Sequence, residues 1–542
     1  MTAPAIEKES TTVADVDYDV VIIGAGFAGM YQMHKLRQLG QTVHIFETGD
    51  DVGGTWYWNR YPGARVDIHS MEYSFSFDDD LQQQWRWKER YAPQPELLDY
   101  AKHVSERYDL RKDISFSTRV TGLAWDDEAR TWTVSTDDGK STVARFVIAA
   151  TGCLSKPSRP QFAGMDDFQG DIYYTSSYPK EGVDLAGKKV AVIGTGSSGL
   201  QTITTIAPVV GSLTVFQRTP SFAIPAHNRE IDDEHDAKVK ANYAEIRQVG
   251  RATKVGFNQH AGTTFFTEAD PADARRDLDE RWQRGGLGFS AGYADVLTNP
   301  AANEFAAEYV REQIRKKVKD PATAELLCPK TYPLASKRMC VDTGYFEVYN
   351  QDNVELIDIN ADPIEMMTPT GIRAGGRDFD VDVIILATGF DAMTGALNSI
   401  DITNGSQALA TKWAHGPRTY LGLMSHGYPN LFTITGPQSP SVLSNMMVSI
   451  EDHVDWIATT IGDMSEAGHT RIEAELDAED DWVNLNNDLG NFTLMPQANS
   501  WYMGANIPGK DRIFLPFIGG TDAYAQIIAG VRLASYHGFD RS

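Results

Sequence analysis

An α/β fold of two interleaved Rossmann-like domains, the second carrying a helical insertion, is predicted by three features of the sequence. The first is a repeat. YDVVIIGAGFAGMYQMHKLRQLGQTVHIFE (Tyr18–Glu47) and KKVAVIGTGSSGLQTITTIAPVVGSLTVFQR (Lys188–Arg218) each read as a β-branched run, a glycine-rich turn, a helical stretch and a second apolar strand. That is the βαβ pattern of a dinucleotide-binding unit. The second feature is a pair of apolar strands ending in a glycine turn, FVIAATG (Phe146–Gly152) and VIILATG (Val383–Gly389). The third is a change of texture between residues 225 and 335. There, acidic and Ala-rich stretches such as EIDDEHDAKVKANYAEIRQ and ADARRDLDERWQRGG place charges on exposed helix faces.

These features divide the chain as follows. Residues 1–17 form a tail; 18–153 with 391–542 form the first domain; 154–224 with 336–390 form the second; 225–335 form the insertion, read as a solvated helical cap without chemistry. The tail, MTAPAIEKESTTVADVD, lacks the basic start and apolar core of a signal peptide and is expected to be disordered. No run of 18 apolar residues occurs, so no membrane-spanning helix is expected.

Composition narrows the function. The 542 residues correspond to three or four domain-sized units, and 42% are apolar, ample for a packed core. With 49 Lys and Arg against 74 Asp and Glu, the net charge is -25. A surface that acidic repels nucleic-acid backbones and anionic membranes but leaves room for one local basic pocket. The cysteines, Cys153, Cys328 and Cys340, form no CxxC pair. A disulfide framework, a structural zinc site and a dithiol relay are all disfavoured; no metal is expected, and a reducing cytoplasm suits the chain.

The two glycine turns differ in chemistry. Gly24, Gly26 and Gly29 make the first, and Glu47 stands 23 residues after Gly24, at the end of the second strand. A carboxylate there accepts a ribose 2′-hydroxyl and repels a 2′-phosphate. Gly194, Gly196 and Gly199 make the second; the same offset reaches Gln217, followed by Arg218 and Thr219. A cation there favours a 2′-phosphate through charge-assisted hydrogen bonds. The simplest pairing is FAD in the first site and NADPH in the second, with hydride passing from nicotinamide to flavin.

Directly after the first βαβ unit comes GGTWYWNRYPGARVD (Gly53–Asp67), dense in aromatic residues beside the first nucleotide turn. It matches each fixed position of GGxWxxxxYPGxxxD. On this segment, and on SKRMCVDTGYFEVYNQDNVEL (Ser336–Leu356), LATGFDAMTGAL, GPRTYLGL, SPSVLSNM and NSWYMGANIPGK, the chain resembles the type I Baeyer–Villiger monooxygenases, a branch of the class B flavoprotein monooxygenases. The likeness runs from about residue 18 to the C-terminus and is greatest to members acting on phenylacetone, cyclohexanone and steroid ketones. One departure stands out. The family's linker motif FxGxxxHxxxW is here FQGDIYYTSSYP, with Tyr174 for the histidine and Tyr178 for the tryptophan, which bears on coupling between domain movement and reaction.

The resemblance implies NADPH- and O2-dependent oxidation of a hydrophobic ketone (cyclic, aryl or long-chain) to an ester or lactone through a flavin peroxide. It makes Arg338 the cation that stabilises negative intermediates and Asp67 the carboxylate that orients it. It places Gly54, Trp56 and Asp67 beside the flavin and makes Thr55, Tyr73 and Met446 cofactor-binding. Thr195, Ser197, Ser198, Gln201, Arg218, Thr219, Lys337, Arg338 and Trp501 hold the nicotinamide cofactor, and Ser441, Val442 and Leu443, next to Met446, bound the ketone pocket. No obligatory protein partner is implied. Three other readings stay open: an N- or S-oxygenating flavin monooxygenase, an uncoupled NADPH oxidase or reductase, and a non-catalytic flavin-bound redox sensor.

Overall fold

The computed structural model describes residues 15–542, so most of the stretch expected to be disordered lies outside the described residues. Asp17, assigned to that stretch, instead pairs with the first sheet. Its N–H donates to the Val143 carbonyl at 3.0 Å, and its carboxylate accepts the Val143 N–H at 2.8 Å.

The chain first builds β1 (Tyr18–Ile23), β2 (Val43–Phe46), β3 (Ile114–Ser115), β4 (Val120–Asp126), β5 (Thr131–Thr136) and β6 (Ser141–Ala149). It crosses to a second sheet with β7 (Asp171–Tyr174), β8 (Lys189–Ile193) and β9 (Ser212–Gln217), then adds β10 (Ala223–Pro225). After the insertion come β11 (Cys340–Asp342), β12 (Val354–Asp358), the meander β13 (Ile364–Thr368), β14 (Gly371–Ala374) and β15 (Arg377–Asp380), and β16 (Val383–Leu386). Crossing back, it forms β17 (Asp401–Thr403), β18 (Leu431–Thr433), β19 (Ile472–Ala474) and β20 (Phe539–Arg541).

The first sheet has the order β17-β4-β5-β6-β1-β2-β3, with β18 also on β6; the second has β12-β9-β8-β16-β7 and is parallel throughout. Parallel strands are covered on both faces and therefore read as unbroken apolar runs. Val20, Val21 and Ile22 of β1 are completely buried, in register with Val43, His44 and Ile45 on one side and Phe146, Val147 and Ile148 on the other. Each such side chain contributes about 1.5–3 kcal/mol over leaving it exposed. The largest core cluster packs helices Phe27–Gln38 and Met446–Ala467 together over this sheet.

The two crossings run side by side as an antiparallel ribbon. The Ser158 N–H donates to the Gly389 carbonyl (2.9 Å), the Asp391 N–H to Lys156 (2.8 Å) and the Met393 N–H to Cys153 (2.8 Å). The insertion holds helices Asp233–Ala241, Tyr243–Arg251, Pro271–Arg284, Pro300–Lys317 and Pro321–Leu327. Asp232, Asp270, Asn299 and Asp320 cap four of them, and a proline opens the last three. Contrary to the reading as a merely solvated cap, the insertion grips the first sheet's unit. Arg247 donates to the Glu72 carbonyl and the Ser74 hydroxyl, and Arg251 pairs with Glu451 and Asp452. Among the described residues no helix is long and apolar enough to cross a membrane.

Candidate active site

The helices Phe27–Gln38, preceded by Gly26, and Ser197–Ile206, preceded by Gly196, each follow a glycine turn and have no side-chain cap. Their leading N–H groups are left for an anion. In the first, Gly24 adopts φ +103°, and a Cβ on it would lie 2.7 Å from the Ala150 carbonyl oxygen. Gly26 faces Gly54 backbone to backbone, so closely that a Cβ on Gly54 would sit 2.8 Å from the Gly26 Cα. Glu47 is buried at the end of β2 and accepts the Ala25 and Gly49 N–H groups at 2.7 and 2.6 Å. Burial pushes its carboxyl up, against the pull of those N–H groups. A bare glycine cradle with a fixed carboxylate beyond it fits a dinucleotide with a free ribose, as FAD has.

In the second cradle the space around Gly196 is open, and the Thr195 hydroxyl pins the loop by donating to the Thr219 carbonyl (2.9 Å). Gln217 points away, donating its amide N–H to the Leu326 carbonyl (2.8 Å). Arg218 is exposed at the rim. Burial and the Arg218 charge bring the Lys337 ammonium down to about 8, while it lies 4.7 Å over the Tyr332 ring. Among the described residues neither cation has an ion-pair partner. Two like charges held together without a carboxylate fit a phosphate, as NADP supplies. Ser197 and Ser198 open the helix; the Ser197 hydroxyl is 3.5 Å from the Cys340 sulfur. Gln201 has a different task from the one expected. Its amide oxygen accepts the Tyr61 hydroxyl (2.9 Å) and its N–H donates to the Arg65 carbonyl (3.1 Å), joining the aromatic segment to the second unit.

Between the cradles lies the Arg338–Asp67 pair. Residues 64–70 are laced to 90–94 by backbone hydrogen bonds at Val66, Ser70 and Gln94, which fixes Asp67. Arg338 enters β11, itself anchored in parallel on β10. Arg338 Nε and Nη2 each donate to Asp67 at 2.8 Å, and Nη1 donates to the Val442 carbonyl at 2.9 Å. The side chains remain 22% and 27% exposed, so the pair opens on a space. Burial opposes the guanidinium charge, but Asp67 and the Tyr502 hydroxyl overcome it and raise its affinity for the proton. Three of its five N–H groups donate to Asp67 and the Val442 carbonyl, and the Tyr502 hydroxyl adjoins the guanidinium on the remaining side.

The walls are aromatic and apolar. Trp56 donates to the Tyr73 hydroxyl (3.3 Å) with the rings edge to face. Thr55 lies exposed beside Gly54. Val442, Leu443, Met446 and Trp501 belong to one apolar cluster with Cys153, Met393 and Tyr502. Ser441 departs from its expected place on the pocket wall: it is wholly buried, and its hydroxyl meets Cys153 and Met393. Tyr502 and the Val442 carbonyl are site components that the sequence reading missed. Tyr502 adjoins Trp501 in the motif; a backbone oxygen has no sequence signature.

In the linker, Tyr174 lies on the edge strand β7 with the Arg159 guanidinium 5.1 Å over its ring. Tyr178 is 4% exposed, and among the described residues its hydroxyl has no partner. Lys180 then clasps the first unit, pairing with Asp50 and lying 5.0 Å over the Tyr57 ring.

Two uncapped glycine cradles and an oriented guanidinium define a flavin- and pyridine-nucleotide-dependent oxidoreductase. A family model described as pyridine nucleotide-disulphide oxidoreductase matches residues 18–270, although the three cysteines here are free and buried. A Baeyer-Villiger monooxygenase of Pseudooceanicola batsensis is 41% identical, covering 98% of this chain and 97% of its own. A phenazine N-monooxygenase of Lysobacter antibioticus is 37% identical, covering 96% of each. The solved structure of an oxidized steroid monooxygenase bound to NADP matches with a TM-score of 0.93 and 48% identity, covering 97% of this chain and 99% of that one. The chain belongs to the Baeyer–Villiger monooxygenase family.

Proposed function

We propose that this enzyme uses NADPH, FAD and O2 to insert one oxygen atom beside the carbonyl of a hydrophobic ketone, cyclic, aryl or long-chain, giving an ester or lactone. The observation that carries this reading is the Arg338 fork, locked by Asp67 and the Val442 carbonyl beside the apolar cluster that contains Val442, Met446, Trp501 and Tyr502. When bound, FAD reduced by NADPH supplies the oxygen-derived oxidant. The protein's own groups do the rest. Gly24, Gly26, Gly29, Gly54 and Glu47 seat the flavin nucleotide; Arg218, Thr219 and Lys337 seat the 2′-phosphate. Arg338 then faces the negative charge that develops on the carbonyl oxygen, in a site with little water, where fixed donors count most. Val442, Leu443, Met446 and Trp501 exclude water and hold the apolar part of the ketone. We assign residues 18–153 with 391–542 to FAD and 154–224 with 336–390 to NADP. The buried free thiols suit the cytoplasm, and no protein partner is required.

The test is a panel of cyclic, aryl and long-chain ketones with NADPH, scored by product mass. Ester or lactone carrying one added oxygen supports the reading. Oxidation confined to a parallel amine and sulfide panel replaces it with heteroatom oxygenation, and steady NADPH consumption yielding only hydrogen peroxide replaces it with an oxidase.

A further inference from the structure

Cys153 lies where the first crossing leaves β6, and the reaction proposed above gives it no part. Its contacts converge on three left-handed backbone positions held by residues with side chains: Met393 (φ +67°), Thr435 (φ +52°) and Ser441 (φ +42°). The Met393 N–H donates to the Cys153 carbonyl at 2.8 Å. The Cys153 thiol lies 3.3 Å from the Thr435 carbonyl and 2.8 Å from the Ser441 hydroxyl oxygen. Such conformations are uncommon outside glycine and persist only where the surroundings over-determine them.

The surroundings do so from both sides. The Thr435 N–H donates to His453 Nδ1 (2.9 Å), which leaves the imidazole proton on Nε2, facing the Tyr524 hydroxyl (2.8 Å). Tyr524 in turn donates to the carbonyl of Leu421 (2.6 Å), itself at φ +60°. On the other side Ser441 has no freedom, being wholly buried with its hydroxyl also toward the Met393 sulfur at 3.8 Å. The residue after it is Val442, whose carbonyl accepts Arg338 Nη1. The backbone angle at Ser441 therefore sets where that carbonyl points.

We infer that Cys153 is a positioning residue: its thiol fixes Ser441 in the left-handed conformation and so aims the Val442 carbonyl at Arg338. Arg338 is gripped on one edge by Asp67 and on the other by this carbonyl, and loss of the second grip lets the remaining N–H groups swing. The inference rests on the Baeyer–Villiger reading for its kinetic consequence but not for its geometry.

Cys153→Ala, Cys153→Ser and Ser441→Ala test it. Cys153→Ala keeps its FAD content and its rate of flavin reduction by NADPH, while ester formed per NADPH consumed falls on the order of fivefold. In its crystal structure the Val442 oxygen lies beyond roughly 3.5 Å from Arg338 Nη1. Ser441→Ala, which removes the same contact from the other side, reproduces both effects. Cys153→Ser keeps a hydroxyl in reach and holds the ester yield to within about twofold of the parent. An unmoved carbonyl or an unchanged ester yield in Cys153→Ala overturns the inference. So does a Cys153→Ser variant as impaired as Cys153→Ala, which would assign the effect to sulfur packing. If the parent enzyme makes no ester from any ketone, the catalytic reading falls alone, and the crystallographic distance still decides the role of Cys153.

Discussion

A guanidinium with three N–H groups given to fixed acceptors can meet an anion only from the side of the other two, and Asp67 and Val442 decide which side that is. Arg338→Ala therefore loses ester formation by a factor on the order of 10²–10³ or more. It retains bound FAD and flavin reduction by NADPH; an undiminished ester yield would remove Arg338 from the mechanism. Arg338→Lys does not rescue, because an ammonium cannot hold both acceptors and present further planar donors. Lys337 makes a pH prediction. Burial and Arg218 hold its ammonium down to about 8, so above that pH the free enzyme presents a neutral amine. A 2′-phosphate favours the charged form, and binding must then take up a proton. The Michaelis constant for NADPH rises about tenfold from pH 7 to pH 9, and that for NADH, which lacks the phosphate, does not. A parallel rise for both nucleotides, or the same rise in Lys337→Met, would place the titrating group elsewhere.

The linker carries the consequences at the level of an element. Tyr178 takes a buried position without a partner for its hydroxyl among the described residues, and an unsatisfied buried hydroxyl costs about 1–3 kcal/mol. Tyr178→Phe should raise stability toward denaturant by about 1 kcal/mol; a lower midpoint would show that the hydroxyl is satisfied in solution. Tyr174 stands under Arg159, at the position of the histidine in the linker motif FxGxxxHxxxW. Tyr174→His, assayed at pH 8 where the imidazole is neutral beside Arg159, should raise the ester formed per NADPH consumed. An unchanged ratio makes the departure neutral. The elements legible in sequence were those whose periodicity is local. The four strands of the two glycine repeats are rich in apolar residues, because parallel strands are covered on both faces. The short strands β3, β10, β11, β17 and β18 leave no such trace, since two or three residues define no period, and their partners lie far along the chain.

Across the whole molecule, the same distinction separates what the sequence showed of the site from what it hid. Arg338 and Asp67 could be named from motifs, and their ion pair spans 271 residues. Gln201 looked like part of the nucleotide loop, but its contacts to Tyr61 and Arg65 depend on how the units dock. Ser441 sits in a pocket motif yet turns inward, because its partner Cys153 arrives from 288 residues away. The insertion reads as a solvated cap because helix faces show charge but not its destination; Arg251 finds Glu451 and Asp452 only in the folded chain. The paired crossings at 153–158 and 389–393 have a consequence for ancestry and engineering. A unit whose entry and exit lie hydrogen-bonded together behaves as a cassette spliced into its host, not as a bead on a string. Severing one ribbon strand nicks the protein without freeing either half.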